Sequence, residues 1–238
     1  MQVEIWSDIV CPWCYIGKRR FEAALARFAH REQVDVTWRS LELDPGAPAS
    51  REGDPAQRLA DKYGMSREQA LQAQQRVTRL AAAEGLEYHL DRALAGNTFD
   101  AHRLLHLARE RGLQDVLEER LMRAYFTEGA PIGQPDTLIS LAEEVGILPA
   151  DARAVLTGDA FAQEVRADEA LAAQFGITGV PFFVFDRRFG VSGAQPAQVL
   201  LSALEQAWAA GHPTPLLSAV GAGQAAEDAA CTDESCAI

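Results

Sequence analysis

The sequence has no uninterrupted apolar run of the roughly 18 residues that a membrane-spanning helix needs. It also lacks an excess of positive charge, because 22 lysines and arginines face 34 aspartates and glutamates, for a formal net charge of -12. An acidic surface repels phosphate backbones, so we expect neither nucleic acid nor a membrane as a partner. The opening residues, MQVEIWSDIV, show no basic segment followed by an apolar one. We therefore expect a cytoplasmic protein.

Cysteine is scarce as well, with only four in 238 residues. So few cysteines exclude a small domain held together by disulfides. Cys11 and Cys14 lie three positions apart near the N-terminus, and Cys231 and Cys236 lie near the C-terminus. Structural disulfides are rare in the cytoplasm, and a bridge across so short a loop stabilises little. The Cys11–Cys14 pair is thus more typical of redox or metal chemistry than of a structural link.

The hydrophobic pattern predicts an α/β fold. Residues 2 to 7 and 33 to 41 look like strands, and between them lies a helix with Phe21, Leu25 and Phe28 on one face. From about residue 54 to residue 175 the signals are helical, and we predict five or six helices and no strand. Strands return at 180 to 186 and 189 to 193, followed by a last helix over 196 to 210.

A Cys-x-x-Cys pair beside such a strand–helix–strand unit is typical of a thioredoxin-like site. We therefore predict a thioredoxin fold with a large α-helical insertion. Residues 1–50 and 176–210 form the thioredoxin-like domain, residues 51–175 form the inserted helical domain, and residues 211–238 form a flexible tail with the second cysteine pair.

Pro12 determines how the two thiols are placed. Proline favours the first position of a helix, which makes Cys11 the N-cap residue. There, unpaired backbone N–H groups and the positive end of the helix dipole favour a thiolate. We therefore predict that Cys11 is the nucleophile and that Cys14, one turn further and on the buried side, resolves the mixed disulfide.

Pro181 is the second candidate catalytic residue, because proline is unusual at the start of so strong a strand. In a thioredoxin fold, a cis-proline at this place lies beside the reactive cysteines. A cis bond after Val180 would also present its backbone to an extended peptide. Pro12, Trp13 and Val180 are therefore the candidate substrate-binding residues.

Other polar residues near these motifs have two interpretations each. Asp8 is either the proton acceptor of Cys14 or a solvated turn residue. His102 and His106 have the spacing of a metal-binding pair on a helix, but without a third ligand in the motif we interpret them as core or surface residues. We predict no metal site among the candidate residues.

Three stretches, SDIVCPWCYIGKRRFE, NTFDAHRLLHLA and GITGVPFFVFD, resemble the DsbA-like thiol oxidoreductases. The resemblance covers about residues 1 to 210 and is greatest for the FrnE-type branch, whose members are often described as polyketide-biosynthesis dithiol–disulfide isomerases. It implies a protein dithiol–disulfide oxidoreductase that needs no cofactor beyond its own redox-active disulfide, with glutathione as a candidate reductant. Its partners would be disulfide-containing proteins or small thiols.

The tail fits this branch too, because FrnE-type chains often end in a second cysteine pair. Cys231 and Cys236 are therefore a candidate redox relay to the first pair. Two alternatives stay open. One is a metal-sequestering protein that uses all four cysteines. The other is a glutathione-dependent enzyme of the kappa-transferase or 2-hydroxychromene-2-carboxylate isomerase type, a sister branch that has serine at the position of Cys11.

Overall fold

A computed structural model describes residues 1–51, 53–94 and 96–212. Within these ranges, a four-stranded mixed sheet forms the centre of the fold. The strands are β1 (Gln2–Ser7), β2 (Asp35–Ser40), β3 (Phe182–Phe185) and β4 (Phe189–Ser192). They lie in the order β2-β1-β3-β4, with β1 parallel to β2 and antiparallel to β3. All four predicted strands are thus confirmed, with ends shifted by one or two residues.

Helices cover both faces of this sheet. The first helix, α1 (Pro12–Arg27), packs beside the last one, α9 (Ala197–Gly211). Alternation along β1 sends Val3 and Ile5 into the core under these helices, while Trp6 points into a smaller core on the opposite face. Because β1 is central and buried on both faces, the residues that follow it are held rigidly.

The helical insertion lies between β2 and β3. In the described part of the chain it holds seven α-helices: α2 (Pro55–Tyr63), α3 (Arg67–Ala83), α4 (Phe99–Glu110), α5 (Gln114–Arg123), α6 (Pro135–Glu144), α7 (Pro149–Thr157) and α8 (Ala162–Gln174). A π-helical turn, Ala124–Glu128, extends α5. The prediction of five or six helices was therefore wrong. The short α7 ends at Thr157, and the following Gly158 has a φ of -103°, unlike the glycines with positive φ that follow the other helical segments of the insertion.

Local signals in the sequence mark where the helices of the insertion begin and end. Ser66 and Gln69 form a reciprocal capping box at the start of α3, and the Asp54 side chain accepts a hydrogen bond from the Ala56 N–H at the start of α2. The glycines that follow six of these helical segments all adopt positive φ: Gly64, Gly85, Gly112, Gly129, Gly146 and Gly176. The fold is a thioredoxin fold with a helical insertion, as predicted.

Among the residues that the structure describes, no helix is both long enough and apolar enough to cross a membrane. The predicted tail, with Cys231 and Cys236, lies outside the described residues apart from its first two positions.

Candidate active site

Cys11 immediately precedes α1, in the N-cap position that Pro12 predicts. Its backbone is extended, but its side chain makes no hydrogen bond with a backbone N–H of the helix, so the contact predicted to favour a thiolate is not seen. The Cys11 N–H donates to the Asp8 carbonyl at 3.0 Å, which fixes the turn between β1 and the helix. This thiol is only 4% exposed, but it lines a large cleft.

Cys14 lies one helical turn further, and its side chain is fully buried. Burial raises the pKa of the Cys14 thiol, and the neighbouring Cys11 sulfur raises that pKa further. The nearby Asp8 backbone and Ser7 hydroxyl lower that pKa, but by less than burial raises it. Because its charged form is disfavoured, Cys14 needs a proton acceptor before it can act as a nucleophile.

The Val180–Pro181 peptide bond is cis, as predicted. The Val180 carbonyl oxygen lies 3.6 Å from the Cys11 sulfur and accepts a weak hydrogen bond from the thiol. The cis-proline loop therefore lies directly beside Cys11, the candidate nucleophile, although 169 positions separate Val180 from Cys11 in the sequence.

A cleft of about 1230 Å³ opens beside Cys11. Pro12 and Trp13 line it on one side, and the α2–α3 hairpin lies opposite. Trp13 is 41% exposed, unlike most aromatic residues near the site. Other lining side chains are mostly apolar or basic, including Leu43, Leu59, Met65, Val77, Leu90, Phe126, Arg51, Lys62 and Arg76. A cleft of this size and lining suits an extended peptide as well as a small molecule.

Asp8 is fully buried, so the interpretation as a solvated turn residue was wrong. One carboxylate oxygen, Oδ2, accepts a hydrogen bond from the Leu43 N–H at 2.7 Å. The other, Oδ1, lies 3.6 Å from His102 Nε2. The backbone of residue 8 lies close to the Cys14 sulfur and lowers its pKa. Whether Asp8 accepts a proton stays a prediction.

Three residues at the site were not singled out from the sequence in these roles: Ser7, His102 and Glu118. Ser7 ends β1, and its hydroxyl lies near enough to the Cys14 thiol to affect its pKa. Its hydroxyl also donates to Glu118 Oε1 at 2.8 Å. Glu118 comes from α5 and His102 from α4, and both are buried. No sequence spacing links them, and Glu118 lies in the mostly polar helix α5, so nothing in the local sequence indicates a buried acid.

The two histidines are core residues, in agreement with the preferred interpretation. His102 faces Asp8, and His106 Nε2 lies 3.2 Å from Asp168 Oδ2. Among the described residues, no group of three or more histidines, cysteines or acids could hold a metal ion. Cys231 and Cys236 lie outside those residues, so the four-cysteine metal site stays untested.

Comparison with known proteins agrees with this geometry. Residues 2–205 match the model of the DSBA-like thioredoxin domain. This chain belongs to that family. The family, together with the disulfide oxidoreductases among its structural relatives, supports a thiol–disulfide oxidoreductase.

Relatives of this DsbA-like chain include a crystal structure from Streptomyces coelicolor titled a "probable DsbA oxidoreductase". It is 51% identical, covers 92% of this chain and 93% of its own, and has a TM-score of 0.85. The uncharacterized Bacillus subtilis protein YwbO is 29% identical over 187 residues, which is 77% of this chain and 86% of YwbO. The cytosolic disulfide reductase DsbM from Pseudomonas aeruginosa, with glutathione, shares the fold at 19% identity, with a TM-score of 0.61 and coverage of 87% and 98%.

Proposed function

We propose that this chain is a protein dithiol–disulfide oxidoreductase of the FrnE-type branch, with disulfide isomerase activity, that uses the Cys11–Cys14 pair. One observation carries the proposal. The Cys11 sulfur lies at the N-terminus of α1, on a wide cleft, and only 3.6 Å from the Val180 carbonyl of the cis-proline loop. A nucleophile and a backbone that can pair with an extended substrate are thus adjacent.

The reaction begins when the Cys11 thiolate attacks a substrate disulfide R–S–S–R′. The Cys11–S–R bond forms, the S–S bond of the substrate breaks, and R′–S⁻ leaves and takes a proton. Val180 and Pro181 hold the substrate backbone, while Pro12 and Trp13 contact its side chains. Cys14 then attacks the Cys11 sulfur, forms the Cys11–Cys14 disulfide and releases R–S⁻. The substrate is reduced, and the enzyme pair is oxidised.

We place the protein in the cytoplasm, with glutathione as the reductant. Two glutathione molecules would return the oxidised pair to the dithiol and leave as glutathione disulfide. In the isomerase mode, R′–S⁻ attacks another disulfide of the same substrate and frees a different substrate thiolate. That thiolate attacks the Cys11–S–R bond before Cys14 reacts, which forms the rearranged substrate disulfide and releases the Cys11 thiolate. Both modes need Cys11, whereas only net reduction needs Cys14 in every cycle.

The test replaces each thiol by serine in the full-length chain. We expect Cys11→Ser to abolish reduction of insulin, measured by turbidity. We expect Cys14→Ser to accumulate mixed disulfides with insulin peptides, detectable by mass spectrometry. The matched control is Cys231→Ser, Cys236→Ser, which keeps the first pair intact. If Cys11→Ser keeps full activity, or if Cys14 alkylates faster than Cys11, the assignment of roles is wrong.

We also propose that Cys231 and Cys236 exchange electrons with the first pair. Cys231 lies 20 positions after Gly211, the last residue of α9. That length spans up to about 70 Å when fully extended, whereas a compact chain of this size has a radius of gyration near 18 Å. Chain length therefore permits a contact within one molecule. In the transfer, a Cys231 thiolate attacks the Cys11–Cys14 disulfide, and Cys236 resolves the cross-link. The first pair is then reduced, and the tail pair is oxidised.

A trapping experiment tests this relay. In a Cys14→Ser, Cys236→Ser variant only one thiol of each pair remains, so a Cys11–Cys231 disulfide cannot be resolved. We expect this cross-link within one chain after mild oxidation and digestion. A chain truncated after Gly221 is the companion variant and should recycle more slowly with the same reductant. Absence of the cross-link together with unchanged recycling would exclude the relay but not the function of Cys11 and Cys14.

A further inference from the structure

Buried polar groups lie close to Cys14 in the interior of the fold. The Ser7 hydroxyl lies near enough to the Cys14 thiol to affect its pKa, and it donates to Glu118 Oε1 at 2.8 Å. This places one hydroxyl between the resolving thiol and a carboxyl group. The carboxyl comes from the helical insertion, 111 positions from Ser7 in the sequence, and not from the thioredoxin core.

Glu118 is an unusual residue to bury. Its second oxygen, Oε2, is buried and has no hydrogen-bond partner among the described residues. A buried carboxylate with one unpartnered oxygen is costly, whereas the protonated acid is much less so. The side chain therefore gains from accepting a proton.

The surroundings of Glu118 bring its pKa close to neutral pH. Burial raises the pKa of Glu118 to about 7. The Ser7 hydrogen bond and the cations His102, on α4, and Lys18, on α1, partly offset this rise, while Asp115, one turn earlier on α5, adds to it. An acid with such a pKa can take up and release a proton under physiological conditions.

We propose that Glu118 accepts the proton of Cys14, through the Ser7 hydroxyl, when Cys14 resolves the mixed disulfide. This inference rests on the proposed function of the Cys11–Cys14 pair. The Cys14 S–H bond breaks as its proton passes to Ser7 Oγ, and the Ser7 hydroxyl proton passes to Glu118. The Cys14 thiolate attacks the Cys11 sulfur, and the substrate thiolate leaves toward the cleft. The reverse reaction returns the proton by the same route.

Asp8 and His102 have a different part in this arrangement. The Asp8 carboxylate points to His102 at 3.6 Å and hydrogen-bonds the Leu43 backbone. Burial lowers the pKa of His102, but Asp8 and Glu118 raise it by more, so its pKa is raised overall. Asp8 thus supports a charged His102, and His102 limits how far the pKa of Glu118 can rise. This reassigns the proton acceptor from Asp8 to Glu118.

The test separates the two thiol steps with 5,5′-dithiobis(2-nitrobenzoate), in a full-length Cys231→Ser, Cys236→Ser background. Attack by Cys11 releases the first chromophore, and attack by Cys14 releases the second. We expect Glu118→Gln to slow the second phase about a hundredfold at pH 8 and to leave the first within about twofold. In the unsubstituted background, the second phase should level off above about pH 7. In Glu118→Gln it should keep rising with pH, because hydroxide must take the proton.

Ser7→Ala is the companion variant, because it removes the hydroxyl between Cys14 and Glu118 and leaves the carboxyl group in place. It should slow the second phase as much as Glu118→Gln does. Glu119→Gln is the matched control, because Glu119 is next in the chain but pairs with Arg19 and Tyr15 instead. It should leave both phases unchanged. A purely structural role of Glu118 would lower folding stability without altering the pH profile.

An unchanged second phase and pH profile in Glu118→Gln would overturn the proposal. If Glu118→Gln does not fold, two other results would overturn the proposal. One is an unchanged second phase in Ser7→Ala, and the other is the absence of a plateau near pH 7 in the unsubstituted background. Other results would show that the proposed function itself is wrong. In that case the unsubstituted background would show no second phase, or Cys11→Ser would still show the first phase.

Discussion

Gly17 of α1 faces the ring of Pro181 so closely that a Cβ atom on Gly17 would lie 2.9 Å from Pro181 Cγ. The same atom would lie 3.4 Å from the Phe183 ring. The helix that carries the cysteines and the loop that carries the cis-proline can approach only because residue 17 has no side chain. This contact helps to hold the Val180 carbonyl next to Cys11.

We expect Gly17→Ala to lower the rate of insulin reduction about tenfold. Alanine favours a helix by about 1 kcal/mol over glycine, but overpacking a core costs about 1–3 kcal/mol. The net change should be a loss of stability of up to about 2 kcal/mol, measured by urea unfolding. If Gly17→Ala is both more stable and fully active, the cis-proline loop can move away from the added methyl group without loss of activity.

Gly211→Ala is the matched control for that substitution. Gly211 is also helical, but a Cβ there would lie 3.9 Å from its nearest neighbour, Asp186 Oδ2, which is an ordinary contact. We therefore expect unchanged activity and no loss of stability.

Tyr88→Phe should loosen the active-site turn. The Tyr88 hydroxyl donates to the Pro12 carbonyl oxygen at 2.7 Å, and its ring stacks on Phe126. Phenylalanine keeps the stacking but leaves the Pro12 carbonyl without this bond, which costs about 1–2 kcal/mol. We expect that loss in urea unfolding together with faster alkylation of Cys11. Tyr63→Phe, at a residue that is 62% exposed, is the control and should change stability by less than about 0.5 kcal/mol.

Trp13→Ala should affect large substrates and spare small ones. The indole is 41% exposed at the edge of the cleft, so a bound protein can cover it, whereas bis(2-hydroxyethyl) disulfide is too small to do so. We expect a severalfold higher KM for insulin and a change below about twofold for the small disulfide. Trp13→Phe should retain most of the insulin activity. Equal losses for both substrates would indicate instead that Trp13 acts on the thiols.

The pKa of Glu118 predicts how stability depends on pH. It is raised from 4.5 to about 7, so between these values the folded chain binds more protons than the unfolded one. Stability should therefore fall as pH rises from about 4.5 to 7, by an amount on the order of 3 kcal/mol from this group. Its contribution should then stay constant at higher pH.

Glu118→Gln should remove that part of the pH dependence. The difference between the two stability curves reports Glu118 together with the part of the His102 shift that Glu118 causes. Groups such as Glu4 and Asp168, whose pKa values are lowered, are present in both proteins. Those groups act at lower pH and in the opposite direction, since their stabilisation is lost as pH falls. Urea unfolding at several pH values from 4.5 to 8 measures the difference. Parallel curves would show that Glu118 keeps an ordinary pKa in the folded state.

The reacting pair could be predicted from the sequence because its geometry is local. Pro12 places Cys11 at the N-cap and Cys14 one turn further within a single helix, and no distant residue is needed for that arrangement. The strands and the sites of most helix ends were predictable for the same reason, since alternation, proline and glycine act within a few residues. The helix count failed because the insertion also contains α7, a helix of only 9 residues whose pattern is too short to separate it from its neighbours.

The residues close to Cys14 were decided only by the tertiary structure. Ser7, His102 and Glu118 belong to β1, α4 and α5, and no periodicity connects a strand with two helices of a distant insertion. Asp8 illustrates the same limit, because its sequence position permitted either a solvated or a buried carboxylate. Burial and the contacts from the insertion fixed which acid lies next to which thiol. The local sequence thus determined the dithiol, whereas long-range packing decided the polar surroundings that set the proton affinities.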